Sequence, residues 1–167
     1  LIMNGSFLSG ALSLYSHKRV SIDHSKIHDN FADDGLNIKN SNVEIRRSEF
    51  YANFADQVDL DATHAMIENS TFKASDKDKN GDGLDLSGSK AMVSYSNFDN
   101  FMDKGISVGE GTQLFVYSNN FINNRSAVTG KDSSKLYFYK NYYKDNVVDI
   151  EAFVKKPIYN PPELYVV

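Results

Sequence analysis

Carboxylates and a lysine recur in this chain at spacings that would let them act together. Asp59 lies in VDLDATH, Asp82 and Asp85 in GDGLDLSGS, and Lys104 in DKGISVGEG. Carboxylates held side by side compete for ionisation, so such a group shares a proton, gathers a cation, or divides into an acid and a base. The phrase DKDKNGDGLDLSG sets Asp76, Asp78 and Asn80 at alternate places before Gly81, with Asp82 and Asp85 beyond. Alternate oxygens on a sharply turned loop suit calcium, which takes about six to eight of them. The pattern reaches Ser87 where a complete loop of that type carries a bidentate Glu, and no helical pattern flanks it, so an EF-hand is excluded. The alternative is a polar surface bulge whose charge Lys77 and Lys79 offset. A second set of residues is aromatic: Phe115, Tyr117, Tyr137 and Tyr139. An exposed block of rings usually marks a partner, and flat rings on a rigid surface can stack on sugars. Such a role requires that the tail, through Tyr159, Leu164 and Tyr165, does not fold back over them. His17, His24, His28 and His64 read as surface residues.

What must position these groups is a repeat. VSIDHSKIHDN from Val20, VEIRRSEFYAN from Val43, AMIENSTFKAS from Ala65, AMVSYSNFDNF from Ala91, LFVYSNNFINN from Leu114 and LYFYKNYYKDN from Leu136 align at steps of 23, 22, 26, 23 and 22 residues. The long step holds the acidic loop. One column reads Ile27, Phe50, Phe72, Phe98, Phe121, Tyr143, and another Ser25, Ser48, Ser70, Ser96, Asn119, Asn141. A second alternating segment in each unit begins at Leu36, Val58, Leu84 and Ile106, then weakens to AVTG and VDIEAF. Leu12-Ser13-Leu14 sits where the same segment of an earlier unit would fall. A period near 22 with short alternating strands and Ser or Asn at the turns predicts an all-β solenoid of parallel strands, about six to seven coils of roughly 22–26 residues. Coils stacked at about 4.8 Å turn each column into a ladder of like side chains. Two ladders of charge follow: Asp34, Asp56, Asp82, Lys104, and the outward Asn37, Asp59, Asp85, Ser107. The arginines, Arg19, Arg46, Arg47 and Arg125, fall at other repeat positions. Pro157, Pro161 and Pro162 cannot donate to a ladder and are expected to end the stack.

The net charge of −4, with both signs scattered, argues against nucleic acid as a partner. No apolar run approaches the roughly 18 residues of a membrane span. The absence of cysteine excludes disulfides and thiolate metal sites. We read residues 1–167 as one domain with 153–167 as a capping tail, and as a piece of a longer protein or a mature form.

The repeats, and especially GDGLDLSGS, DKGISVGEG, GKDSS and AFVKKPIYNPPEL, resemble the right-handed parallel β-helix superfamily, whose best-known members are pectate-lyase-like. Within it they look closest to an uncharacterised group of exported bacterial β-helix repeat proteins. The resemblance covers nearly the whole chain and implies a right-handed coil and an extracellular, cell-surface or periplasmic setting. It also implies a polysaccharide or cell-surface polymer as partner, besides other domains of the same parent chain. Uronate-cleaving members place their chemistry on such a groove, which makes Asp59, Asp82, Asp85 and Lys104 the candidate catalytic residues of a lyase or uronan C5-epimerase. GLDLSG departs from the Asp-Pro-His-Asp phrase of the epimerases, with Leu86 and Ser87 in place of Pro and His. The expectation is a module that binds or presents along an extended polysaccharide through Phe115, Tyr117, Tyr137 and Tyr139. Calcium would be held by Asp76, Asp78, Asn80, Asp82 and Asp85. The alternatives are the two enzymes and an architectural spacer or adhesin stalk.

Overall fold

Each repeat alternates apolar and polar residues over short stretches, which sends every second side chain to one face of an extended strand. The computed structural model describes residues 5–75 and 81–167. There the chain forms three parallel sheets, of 7, 7 and 6 strands. The first sheet contains Gly5–Tyr15, Ala32–Lys39, Val58–Asp61, Leu84–Ser87, Lys104–Gly109, Ser126–Lys131 and Val148–Phe153. The second contains Val20–Asp23, Asn42–Arg46, His64–Glu68, Lys90–Ser94, Gln113–Tyr117, Lys135–Tyr139 and Glu163–Val166. The third contains Lys26–His28, Glu49–Tyr51, Thr71–Lys73, Asn97–Asp99, Asn120–Ile122 and Tyr142–Lys144. Each strand pairs with its counterpart one repeat away, so the chain winds as a solenoid.

The register is that of the sequence columns. Leu12 stands opposite Leu36, Leu36 opposite Val58, Val58 opposite Leu84, and Leu84 opposite Ile106. The weakened segments keep step as well, with Val128 between Ile106 and Ile150. Inward columns fill the tube, and Phe50, Phe72, Phe98 and Phe121 stack at 5.2, 4.6 and 5.1 Å between ring centres. All four rings are fully buried.

The corner between the second and third sheets is made by one left-handed residue per coil: His24, Arg47, Asn69, Tyr95, Ser118 and Lys140. The next residue is Ser or Asn, and its side chain accepts the N–H of the equivalent residue one coil earlier. Ser48 donates this way to Ser70, Ser70 to Ser96, Ser96 to Asn119, and Asn119 to Asn141, at 2.9–3.2 Å. Asn119 and Asn141 also donate to the carbonyls of Val93 and Val116, closing groups that burial would otherwise leave unpaired.

The tail corrects one expectation. The prolines lie in the connection before Glu163–Val166, where no ladder donor is needed, and that strand still pairs in parallel with Lys135–Tyr139. The second sheet therefore continues one strand past the prolines. Among the described residues no helix is long and apolar enough to cross a membrane.

Candidate functional site

On the first sheet the outward side chains form three adjoining columns. Asn37, Asp59, Asp85, Ser107, Thr129 and Glu151 run along its middle. Asp34, Asp56, Asp82 and Lys104 lie on one side of them, and Lys39, Asp61, Ser87, Gly109 and Lys131 on the other. Outward residues of a solenoid normally meet solvent. Here many are sunk: Asp34, Asn37, Asp82, Ser107, Thr129 and Lys131 are all buried. The face is a polar trough along the tube, acidic over its earlier coils and cationic over its later ones.

Burial sets the chemistry of the acids. Asp34 is pushed up to about 6 by loss of solvent, against the hydrogen bond from Asn37. Asp59 is pushed up to about 7 by burial and then by the charges of Asp61, Asp34 and Asp85. Asn37 Nδ2 donates to both Asp34 and Asp59, at 2.9 and 2.6 Å. One coil on, carboxylate oxygens of Asp56, Asp82 and Asp85 lie within 4.8 Å of one another. Burial, then the charge of Asp82, raises Asp56; burial also raises Asp82, with Lys104 opposing it. Asp56 Oδ1 accepts the Asp82 N–H at 2.6 Å and so fixes the end of the acidic loop. Lys104 Nζ donates to Asp82 at 3.3 Å and to Asp103 at 2.6 Å. Burial works against its charge, yet these two carboxylates outweigh burial and hold the ammonium above its usual range. Asp85 Oδ1 and Asn37 Oδ1 are buried and have no hydrogen-bond partner among the described residues.

The candidate catalytic residues are therefore brought together, with Asp59, Asp82, Asp85 and Lys104 on one face. Of the expected calcium ligands, Asp82 and Asp85 meet, and Asp56 joins them from its ladder. Asp76, Asp78 and Asn80 lie outside the described residues. The glycine of the loop pattern has a packing role: a Cβ on Gly81 would stand 1.8 Å from the Ala55 carbonyl oxygen. Arg125 corrects the sequence reading that kept arginine away from this face, because it lines a recess of about 290 Å³ with Asp103, Lys104, Lys131, Glu151, Phe153 and Lys155. The signal was present, since Arg125 precedes Ser126 just as Asp103 precedes Lys104. Lys131 was missed because its unit departs most from the repeat.

The aromatic residues stand on the second sheet. Phe115 pairs with Tyr137 and Tyr117 with Tyr139, and the tail adds Tyr165 beyond Tyr137 instead of covering the block. Phe115 and Tyr139 remain 50% and 43% exposed. Ring centres are 4.6 Å apart for Phe115–Tyr137, 4.7 Å for Tyr137–Tyr165 and 5.6 Å for Tyr117–Tyr139, with planes within 17° of parallel. Rings that close and parallel turn their faces to each other, so the ladders offer solvent mainly edges and Tyr hydroxyls. They border an apolar slot of about 180 Å³. A larger, shallow groove of about 880 Å³ passes His17, Lys18, Arg19, Glu44, His64 and Lys90 at the start of the second-sheet strands.

A family profile described as a right-handed beta helix region matches residues 9–156. No curated protein and no solved structure matched the chain. With three parallel sheets, in-register ladders and a match over most of its length, the chain belongs to the right-handed beta helix family.

Proposed function

We propose that the chain is an exported module that binds an extended polysaccharide along the trough of the first sheet. The observation that carries this reading is the sinking of outward polar side chains below the surface, from Asp34 and Asn37 to Ser107 and Lys131. Folding gains nothing from burying carboxylates and an ammonium on the outside of a tube. A rigid trough of fixed donors and acceptors is what a hydroxyl-rich chain needs, and perturbed carboxylates gather at functional sites. Retention on a panel of immobilised glycans tests the reading. Ser87→Trp, on a half-buried residue of the trough, should abolish retention without lowering the melting temperature, and Tyr139→Ala should leave it intact. The reverse pattern would put the polymer on the aromatic ladders of Phe115, Tyr117, Tyr137 and Tyr139. No retained glycan would remove the reading.

Asp59 favours a second reading for the same trough, a polysaccharide lyase or uronan C5-epimerase. A carboxyl at about 7 is in the range of a general base near neutral pH. It would take the proton beside a uronate carboxylate. A lyase then expels the neighbouring glycosidic oxygen and leaves an unsaturated sugar with a new ultraviolet band. An epimerase returns a proton to the opposite face, which proton NMR of the polymer detects. Activity that survives Asp59→Asn would remove Asp59 from either role.

Calcium enters the proposal through the residues present. Three carboxylates within 4.8 Å, one with a buried and unpartnered oxygen, fit a hard cation. Asp56, Asp82 and Asp85 would hold it. Bound there, it would supply positive charge in place of the protons that burial makes Asp56 and Asp82 keep.

A further inference from the structure

At the cationic end of the trough the balance of charge is incomplete. Lys131 is 8% exposed, and among the described residues its ammonium makes one hydrogen bond, to Ser107 Oγ at 2.7 Å. It has no ion pair among the described residues. A buried ammonium with a single neutral acceptor is costly, and an anion beside it removes that cost. The recess it shares, of about 290 Å³, holds four cationic side chains, Lys104, Arg125, Lys131 and Lys155, against the acids Asp103 and Glu151. Asp103 is committed to Lys104, which also holds Asp82. Glu151 accepts from Thr129 Oγ1 at 3.3 Å and forms no ion pair among the described residues. Arg125 and Lys155 are likewise without ion pairs among the described residues. The net excess of positive charge, buried at Lys131 and exposed at Arg125 and Lys155, thus lines one recess beside the trough.

We propose that this recess is a subsite for an oxyanion group, a carboxylate or a sulfate, carried by the polysaccharide in the trough. The proposal rests on the polysaccharide reading for its ligand, but the oxyanion site itself is testable alone. The Arg125 guanidinium offers the planar fork that oxyanions take in pairs of hydrogen bonds, and Lys131 supplies a fixed charge at the floor. Phe153, on the rim, gives the sugar ring an apolar wall. The acids of the earlier coils would repel the same group, so an acidic polymer is held in one register: anionic substituent over Lys131, hydroxyls over Asp59 and Asp85.

The test uses the isotope-labelled chain and free probes. Glucuronate, inorganic sulfate and glucose are titrated while the Lys131 side-chain resonances are followed by NMR. A saturable shift with glucuronate or sulfate, and none with glucose, is expected; which of the two binds more tightly identifies the group. Lys131→Met should weaken the preferred oxyanion by at least about tenfold, the worth of a charged hydrogen bond. Arg125→Gln, a change at an exposed side chain, should weaken it in the same direction and keeps the test usable if Lys131→Met does not fold. Equal response to glucose, no response to either oxyanion, or binding unchanged in Arg125→Gln and Lys131→Met would overturn the proposal. Oxyanion binding without retention of any polymer would keep the subsite and remove the polysaccharide reading.

Discussion

Asp34 and Asp59 accept the two amide hydrogens of Asn37 and still hold their protons at about 6 and about 7, because burial outweighs the hydrogen bonds. Unfolded, both would titrate near the ordinary value of 3.8. Between roughly pH 4 and 7 the folded chain therefore binds more protons than the unfolded one, and its stability falls as pH rises through that window. Asp56 and Asp82 are raised as well and act in the same direction. Thermal melts should give a higher midpoint at pH 5 than at pH 8, and Asp59→Asn should reduce the difference by raising the pH 8 midpoint. A wild-type midpoint that climbs from pH 5 to pH 8 would contradict this assignment. Calcium should raise the midpoint at pH 8, where fewer protons compete for the carboxylates, and have less effect at pH 5. Asp56→Asn together with Asp85→Asn should remove the response; a wild type indifferent to calcium and to chelator would mean the cluster holds only protons.

The ladders act as elements, and their members differ in worth by position. Tyr137 is stacked on both sides, by Phe115 and Tyr165, whereas Tyr139 has one stacked neighbour, Tyr117, and Lys140 above its ring at 5.0 Å. At about 0.5–1.5 kcal/mol per aromatic pair beyond area burial, Tyr137→Ala should cost about 1–3 kcal/mol and more than Tyr139→Ala. Chemical denaturation reads the order, and equal costs would show that the stacks contribute nothing. In the corner ladder, Asn119→Ala removes the acceptor of the Ser96 N–H and the donor to the Val93 carbonyl, leaving both buried. A loss of about 1–3 kcal/mol is expected from that unmet pairing. A neutral outcome would mean that water reaches the corner.

Across the whole molecule, contacts join each coil chiefly to the next, so stability is a chain of nearest-neighbour terms and the ends have half the partners. Among the described residues Glu163–Val166 is paired on one side only, and all four of its residues are exposed. Hydrogen exchange followed by mass spectrometry should find the least protection among the second-sheet strands there, rising inward through Lys135–Tyr139 to Gln113–Tyr117. Uniform protection along the sheet would instead indicate a single cooperative unit. The trough depends on the same stacking. Each of its columns draws one residue per coil, so a shift of register by one residue would send Asp59 and Asp85 inward and Val58 or Leu60 out. The burial cost of that exchange is what holds the site together.

Repetition of side-chain type is a local property, and it was enough to fix the period, the ladders, the outward columns and the family. The Phe50-to-Phe121 stack, the Ser70-to-Asn141 corner and the pairing of Asp59 with Asp85 all follow from spacing, because in-register coils convert distance along the chain into vertical adjacency. Depth was not available from spacing. Whether an outward aspartate is solvated or sunk depends on how neighbouring segments close over the sheet, so the raised acids, the covered Asn37 and the buried charge of Lys131 emerged only when the coils were assembled. Arg125 entered the site for the same reason: its repeat position lies at the edge of the sheet, and three-dimensional packing turned it toward the recess. The tail was the other open question, since a proline-broken segment can either cover a surface or extend it. Extension prevailed because Glu163–Val166 found unpaired strand edge to bond with, which continued the ring ladder through Tyr165 and left it open to solvent.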